Sequence, residues 1–124
     1  MKAFVLGLVF AVVMLGGSSS FAADERNVHV INKTGYGIKF LGFNEPDDDD
    51  WDENELGDSS VLPNGNGVYV KFNDADDGCV WNIRISWAEG GYPDVMWHDV
   101  NLCKISVLTL KYDRASDTTS FEAE

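Results

Sequence analysis

Alternation of apolar and polar residues with a period of two runs through this chain from Arg26 onward, and it predicts short β-strands. In Arg26–Lys33 the alternation puts Val28 and Val30 on one face. Thr34-Gly35 reads as a turn, and Tyr36–Phe43 as a second strand with Ile38 and Phe40 on one side. Cys79–Ala88 carries the clearest pattern: Trp81, Ile83, Ile85 and Trp87 point one way, Asn82, Arg84 and Ser86 the other. Further strands are predicted over Ser60–Leu62, Gly67–Phe72, Asp94–Val100 and Ile105–Tyr112, the last rich in β-branched and aromatic residues. Pro63-Asn64-Gly65-Asn66-Gly67 and Glu89-Gly90-Gly91-Tyr92-Pro93 are turn clusters, and Asn73–Gly78 is a polar loop. One helical turn is predicted over Trp51–Leu56, where Asp48 to Asp50 offer an N-cap and dipole-compatible charge. Arg114–Thr119 is polar, and Ser120–Glu124 reads as a fraying acidic end.

Strands this short, with turns every 8–12 residues or roughly so, predict an all-β fold. The expected architecture is a small antiparallel β-sandwich, immunoglobulin-like or similar, with a small barrel as its near neighbour. One polar face per strand argues against a parallel sheet covered on both sides.

The first 22 residues belong to a different pattern. Lys2 precedes an apolar run from Ala3 to Gly16, too short for the ~20 residues that cross a bilayer. Ser20 and Ala22 are the small residues expected around a cleavage site after Ala22. Residues 1–22 therefore read as a signal peptide, leaving 23–124 as one β-sandwich domain of 102 residues. A periplasmic or secreted location follows, with no membrane contact after cleavage.

Charge narrows the partners. The chain holds 21 acidic and nine basic residues, a net charge of −12. Loss of Lys2 with the signal leaves eight basic residues, hence −13. Nucleic acid and anionic membranes are excluded as partners by such a field, while a cationic ligand or an unidentified basic protein remains open. A monomer is expected. Cys79 and Cys103 are the only cysteines, and an exported chain would pair them. Their bridge closes a loop of about 25 residues, worth roughly 3–4 kcal/mol in the chain-entropy model.

Nine carboxylates crowd between Glu45 and Asp58, with no basic residue among them. Ca²⁺ takes six to eight oxygens, and Asp48, Asp50, Asp52 and Glu55 are the candidate ligands. Neighbouring carboxylates about 7 Å apart repel by only about 0.6 kcal/mol in water, so a solvated or partner-facing loop is the competing reading. Trp51, inside this tract, is either a lid on the sheet or an exposed partner contact. The second acidic stretch, Asn73–Gly78, misses the EF-hand register, with Ala75 third and Arg84 twelfth. His29 and His98 are too few for a catalytic zinc centre. Ser59, Ser60 and Ser86 lack a Gly-x-Ser-x-Gly elbow, so no catalytic residue is assigned and an enzyme is not expected.

Five stretches taken together carry a resemblance: Asn32-Lys33-Thr34-Gly35; Asp50-Trp51 with Leu56-Gly57; Val61-Leu62-Pro63-Asn64-Gly65; Cys79-Val80-Trp81-Asn82-Ile83-Arg84; and Val100-Asn101-Leu102-Cys103-Lys104-Ile105. With these the chain resembles a family of small exported bacterial proteins that are β-sandwich-like. The resemblance implies that Trp51, Leu56 and Gly57 are framework, and that the run Asp47–Asp50 is a local elaboration. Some relatives bear the label argininosuccinate lyase, but that enzyme is large, helical and oligomeric, unlike this chain. The expectation is an exported, non-catalytic binding or accessory protein without a cofactor. Its alternative is a calcium-binding module built on residues 45–58.

Overall fold

A computed structural model describes residues 25–51, 53–57, 60–72 and 78–124. The signal-peptide reading of 1–22, Asp52 and most of the Asn73–Gly78 loop lie outside the described residues. Seven strands follow in order: β1 (Val28–Lys33), β2 (Ile38–Asn44), β3 (Gly67–Val70), β4 (Val80–Trp87), β5 (Val95–Asn101), β6 (Val107–Asp113) and β7 (Thr118–Ala123). They form a four-stranded sheet in the order β3-β1-β6-β7 and a three-stranded sheet in the order β2-β4-β5. The fold is all-β and sandwich-like, and a Cys79–Cys103 disulfide braces it.

The period-two pattern supplies the core. Val28 and Val30 of β1, Leu108 and Leu110 of β6, and Val70 of β3 face Leu41 of β2 and Ile83 and Ile85 of β4. All are almost wholly excluded from solvent, and each such side chain contributes roughly 1.5–3 kcal/mol on burial. Leu102, in a one-turn 3₁₀ helix after β5, plugs the end of this layer and is held there by its amide, which donates to the Cys79 carbonyl at 2.8 Å. The disulfide joins that turn to the start of β4, with the two Cα atoms 5.3 Å apart.

Several features depart from the sequence reading. The pairing is antiparallel throughout except between β1 and β6, which run parallel, with His29 opposite Val107 and Lys33 opposite Lys111. A parallel neighbour needs a long crossover, and here the connection contains β3 and the whole three-stranded sheet. Residues 118–123, which span the end of the polar stretch Arg114–Thr119 and most of the expected fraying end Ser120–Glu124, form an edge strand paired along its length with β6. Its sequence Thr-Thr-Ser-Phe-Glu-Ala is polar because one side and one edge meet water. Phe121 alone reaches across to Trp97 of β5, rings 5.4 Å apart and edge to face. Trp51 and residues 53–56 are not helical, and residues 60–62 contribute only a bridge between Leu62 and Ile38.

One polar residue sits in the inward row of β1. Asn32 is fully buried, and its side chain is saturated. Its Nδ2 donates to the carbonyls of Tyr36 (2.7 Å) and Leu62 (2.9 Å). Its Oδ1 accepts from the Thr34 amide (3.0 Å) and hydroxyl (2.7 Å). Its backbone N–H donates to Asn66, and its carbonyl accepts from Gly65. Gly65 adopts φ +93°, which brings that amide round to Asn32. Asn32→Ala would leave the buried Thr34 amide without its acceptor and strip one of two donors from each of the Tyr36 and Leu62 carbonyls. We expect a loss of about 2–4 kcal/mol in urea unfolding, against less than about 0.5 kcal/mol for Lys33→Ala on the exposed side of the same strand.

Candidate functional site

Among the described residues, side-chain and backbone amides hold the acidic tract to the protein. β2 is an edge strand, and edge strands need covering. A bulge at Lys39 opens its ladder to β4, since Ile38 faces Trp87 while Phe40 faces Ser86. Asn54 closes the gap: its Nδ2 donates to the Lys39 carbonyl (2.9 Å) and its Oδ1 accepts from the Leu41 amide (3.1 Å). The Glu55 amide then donates to the Leu41 carbonyl at 2.8 Å. At the other end, buried Asn44 donates from Nδ2 to the carbonyls of Asp48 (2.6 Å) and Asp50 (3.3 Å).

Asp47 to Asp50 themselves are exposed. The Asp48 carboxylate accepts only from the Asp50 amide in this stretch, at 3.0 Å. Of the four candidate calcium ligands, Asp48, Asp50 and Glu55 are described and Asp52 is not. Among the described residues no three His, Cys, Asp or Glu side chains gather closely enough to hold a metal ion. Asn44 Oδ1 is buried and has no hydrogen-bond partner among the described residues.

Trp51 lies half-buried on the outer face of the three-stranded sheet. Gly42 lies under it, close to the rings of both Trp51 and Phe40. Across the ladder from Gly42, the Arg84 guanidinium stands 5.3 Å from the Phe40 ring centre and 5.8 Å from that of Trp51. Its Nε and Nη2 both donate to Asp94 Oδ2, at 3.0 and 2.7 Å. The polar row of β4 is therefore covered: Asn82 and Ser86 are buried, where alternation alone would leave them wet. Asn82 also accepts from the Asp99 amide, satisfying a second bulge at His98–Asp99 in β5.

A different region has the shape of a binding site. At one end of the sandwich the connections β1–β2, β4–β5 and β6–β7 enclose a cleft of about 720 Å³. A second, shallower depression of about 580 Å³ adjoins it, and the two share Tyr36, Tyr112 and Arg114. Tyr36, Trp87 and Tyr112 form a mutual edge-to-face cluster, with ring centres 5.7 to 6.5 Å apart. Tyr36 and Tyr92 are largely exposed, at 44% and 60%. Neither family models, nor curated proteins, nor solved structures gave a match to this chain. The cleft is read from its own chemistry.

The carboxylates of the cleft are Glu89, Asp94 and Asp117, and Arg114 is its one base. Asp94 is engaged by Arg84, and Asp117 accepts from the Tyr112 hydroxyl at 2.8 Å. That hydrogen bond, reinforced by the Asp117 charge, pushes the Tyr112 pKa above the ordinary tyrosine value. Asp117 has φ +52°, a left-handed conformation that ends the β6–β7 turn and aims its carboxylate back at Tyr112. Sequence reasoning assigned Trp87 to the core and gave Tyr36, Tyr92 and Tyr112 no role. No local motif could have revealed the cleft, because its rings come from the β1–β2 and β4–β5 connections and from the ends of β4 and β6.

The tight stacking over Gly42 is open to test. A Cβ there would lie 2.6 Å from Phe40 Cε1 and 3.3 Å from Trp51 Cε3. Gly42→Ala should push both rings off the sheet, at about 1–3 kcal/mol in chemical unfolding, and raise acrylamide quenching of tryptophan emission. Gly90→Ala, with nothing within 4 Å, is the control and should change neither quantity.

Proposed function

We propose that this is an exported, non-catalytic binding protein that seats its ligand in the aromatic cleft between the sheet ends. The observation that carries the reading is the Tyr36–Trp87–Tyr112 cluster, partly exposed and opening onto about 720 Å³ of space. Binding sites are concave and largely apolar, with a few placed polar groups, and this cleft has that composition. Tyr36 and Tyr92, left in solvent on two of the converging connections, forgo burial that a sandwich core could give them, and contact with a ligand would recover it. Two of the cleft's three carboxylates, Asp94 and Asp117, are already committed to neighbours, which suits recognition better than acid–base chemistry. Export rests on the apolar leader with its small-residue cleavage site, and the Cys79–Cys103 bridge suits an oxidising compartment.

A second reading places Ca²⁺ at the acidic tract. The buried, unpartnered Asn44 Oδ1 beside Asp48 and Asp50 favours it, since a buried acceptor costs about 1–3 kcal/mol unless something donates or coordinates.

The two readings separate in thermal-shift experiments on the purified chain. A ligand of the cleft raises the unfolding midpoint by mass action. Tyr36→Ala and Tyr92→Ala should abolish that shift, while replacement of Asp47–Asp50 by Asn leaves it intact. A shift that survives both tyrosine variants and disappears with the Asn replacements overturns the cleft reading. For Ca²⁺, a midpoint higher in calcium than in EDTA is expected; identical midpoints remove it.

A further inference from the structure

Three properties of the cleft bear on what kind of ligand it takes. The first is the ring cluster. Aromatic faces attract cations within about 6 Å of the ring centre, through the negative face of the quadrupole. This chain uses that attraction on itself, with Arg84 against Phe40 and Trp51 and Arg26 at 5.5 Å over Phe72. At the cleft, Tyr112 donates its hydroxyl proton toward a carboxylate, which leaves its ring richer in electrons and a better partner for positive charge.

The second property is charge. Glu89, Asp94 and Asp117 line the cleft against Arg114, with Asp94 balanced by Arg84 from outside it, and the adjoining depression adds Asp113 and a Lys111 that is paired with Glu122. The chain without its leader carries −13, so its field draws cations toward any concave surface and turns anions away. A neutral sugar would use the ring faces and gain nothing from this field.

The third property is extent. The cleft and its neighbour share Tyr36, Tyr112 and Arg114, so the two make one continuous trough. That is far more room than a single ammonium or guanidinium group fills. It suits a short extended peptide that lays one basic side chain on the rings and its backbone along the trough.

We infer that the cleft takes a peptide segment bearing a lysine or arginine, with the cationic head against the Tyr36–Trp87–Tyr112 rings and the Glu89 and Asp117 carboxylates. This rests on the cleft being the binding site and adds the class of ligand. Recognition then has two parts. The rings and carboxylates read positive charge, and the trough reads an extended chain.

The test uses the chain without its leader, labelled with ¹⁵N, and follows the Trp87 indole N–H resonance. The probes are acetyl-Gly-Lys-Gly-amide, acetyl-Gly-Arg-Gly-amide, the citrulline analogue of the latter, which keeps its shape without the charge, and a neutral glucose trisaccharide. Saturable shifts of Trp87 are expected with the lysine and arginine peptides, weakening at least about fivefold in the citrulline analogue and in 0.5 M NaCl. Glu89→Gln and Asp117→Asn should each weaken the charged peptides by about twofold to fivefold without altering the unbound spectrum elsewhere. Asn is tolerated in the left-handed conformation of Asp117, so that variant keeps the turn. Citrulline binding as tightly as arginine overturns the inference and leaves the cleft as the site. A Trp87 shift with the trisaccharide and none with the peptides does the same. No shift of Trp87 with any probe removes both the inference and the cleft reading.

Discussion

The Asn32 side chain is the interaction on which the geometry of this protein turns. It stands in the inward row of β1, where a valine would be expected, and it serves two carbonyls and two donors of Thr34. Those partners belong to different parts of the fold. Leu62 bridges to Ile38 at the edge of the three-stranded sheet, while Tyr36 begins the approach to that sheet from β1. One amide therefore ties the four-stranded sheet to its partner at the end where the cleft opens. Because Nδ2 holds the Tyr36 carbonyl, the ring of Tyr36 is presented toward Trp87 and Tyr112 from an anchored backbone. Buried and fully satisfied polar groups specify geometry in a way that apolar packing does not.

The same division between neutral amides and exposed charges governs the acidic tract. Asn44 and Asn54 do the attaching, through backbone groups at its two ends, and the carboxylates of Asp47 to Asp50 are left in water. The tract covers the free edge of β2 and the polar row of β4, and its charge keeps the covered edge from meeting another strand. Trp51 and Arg84 extend this cover toward the cleft, because the guanidinium that lies near the Trp51 ring also grips Asp94 at the rim. The two regions of chemical interest are thus physically continuous.

Much of the fold was legible in the sequence. β1 to β6 all lie within two residues of their expected bounds, because alternation against a single core leaves a strong period-two signal. The Cys79–Cys103 pairing followed from there being two cysteines. β7 was illegible because an edge strand with one wet face can be written in Thr, Ser and Glu, with Phe121 as its only large apolar residue. The parallel β1–β6 pair was illegible because nothing local distinguishes a neighbour's direction. Asn82 and Ser86 read as solvent-facing because alternation reports which side a residue takes, not what later folds over it. For the sites, sequence pointed to charge density at 45–58. The cleft needed three connections brought together, and it had no representation in any single stretch.

The parallel pairing of β1 with β6 has a consequence for how the chain reaches this structure. β4 and β5 are joined by a short connection and can pair as soon as both exist, as can β6 and β7. β1 lies in the middle of its sheet, yet its partner on one side is β6, which pairs His29 with Val107. Until most of the chain is present, Val28 and Val30 have only β3 beside them. Long-range pairings of this kind slow folding, since loop closure is costly before any contact rewards it. β1, the first strand among the described residues, is thus among the last to be locked, and the Asn32 network and the cleft close with it.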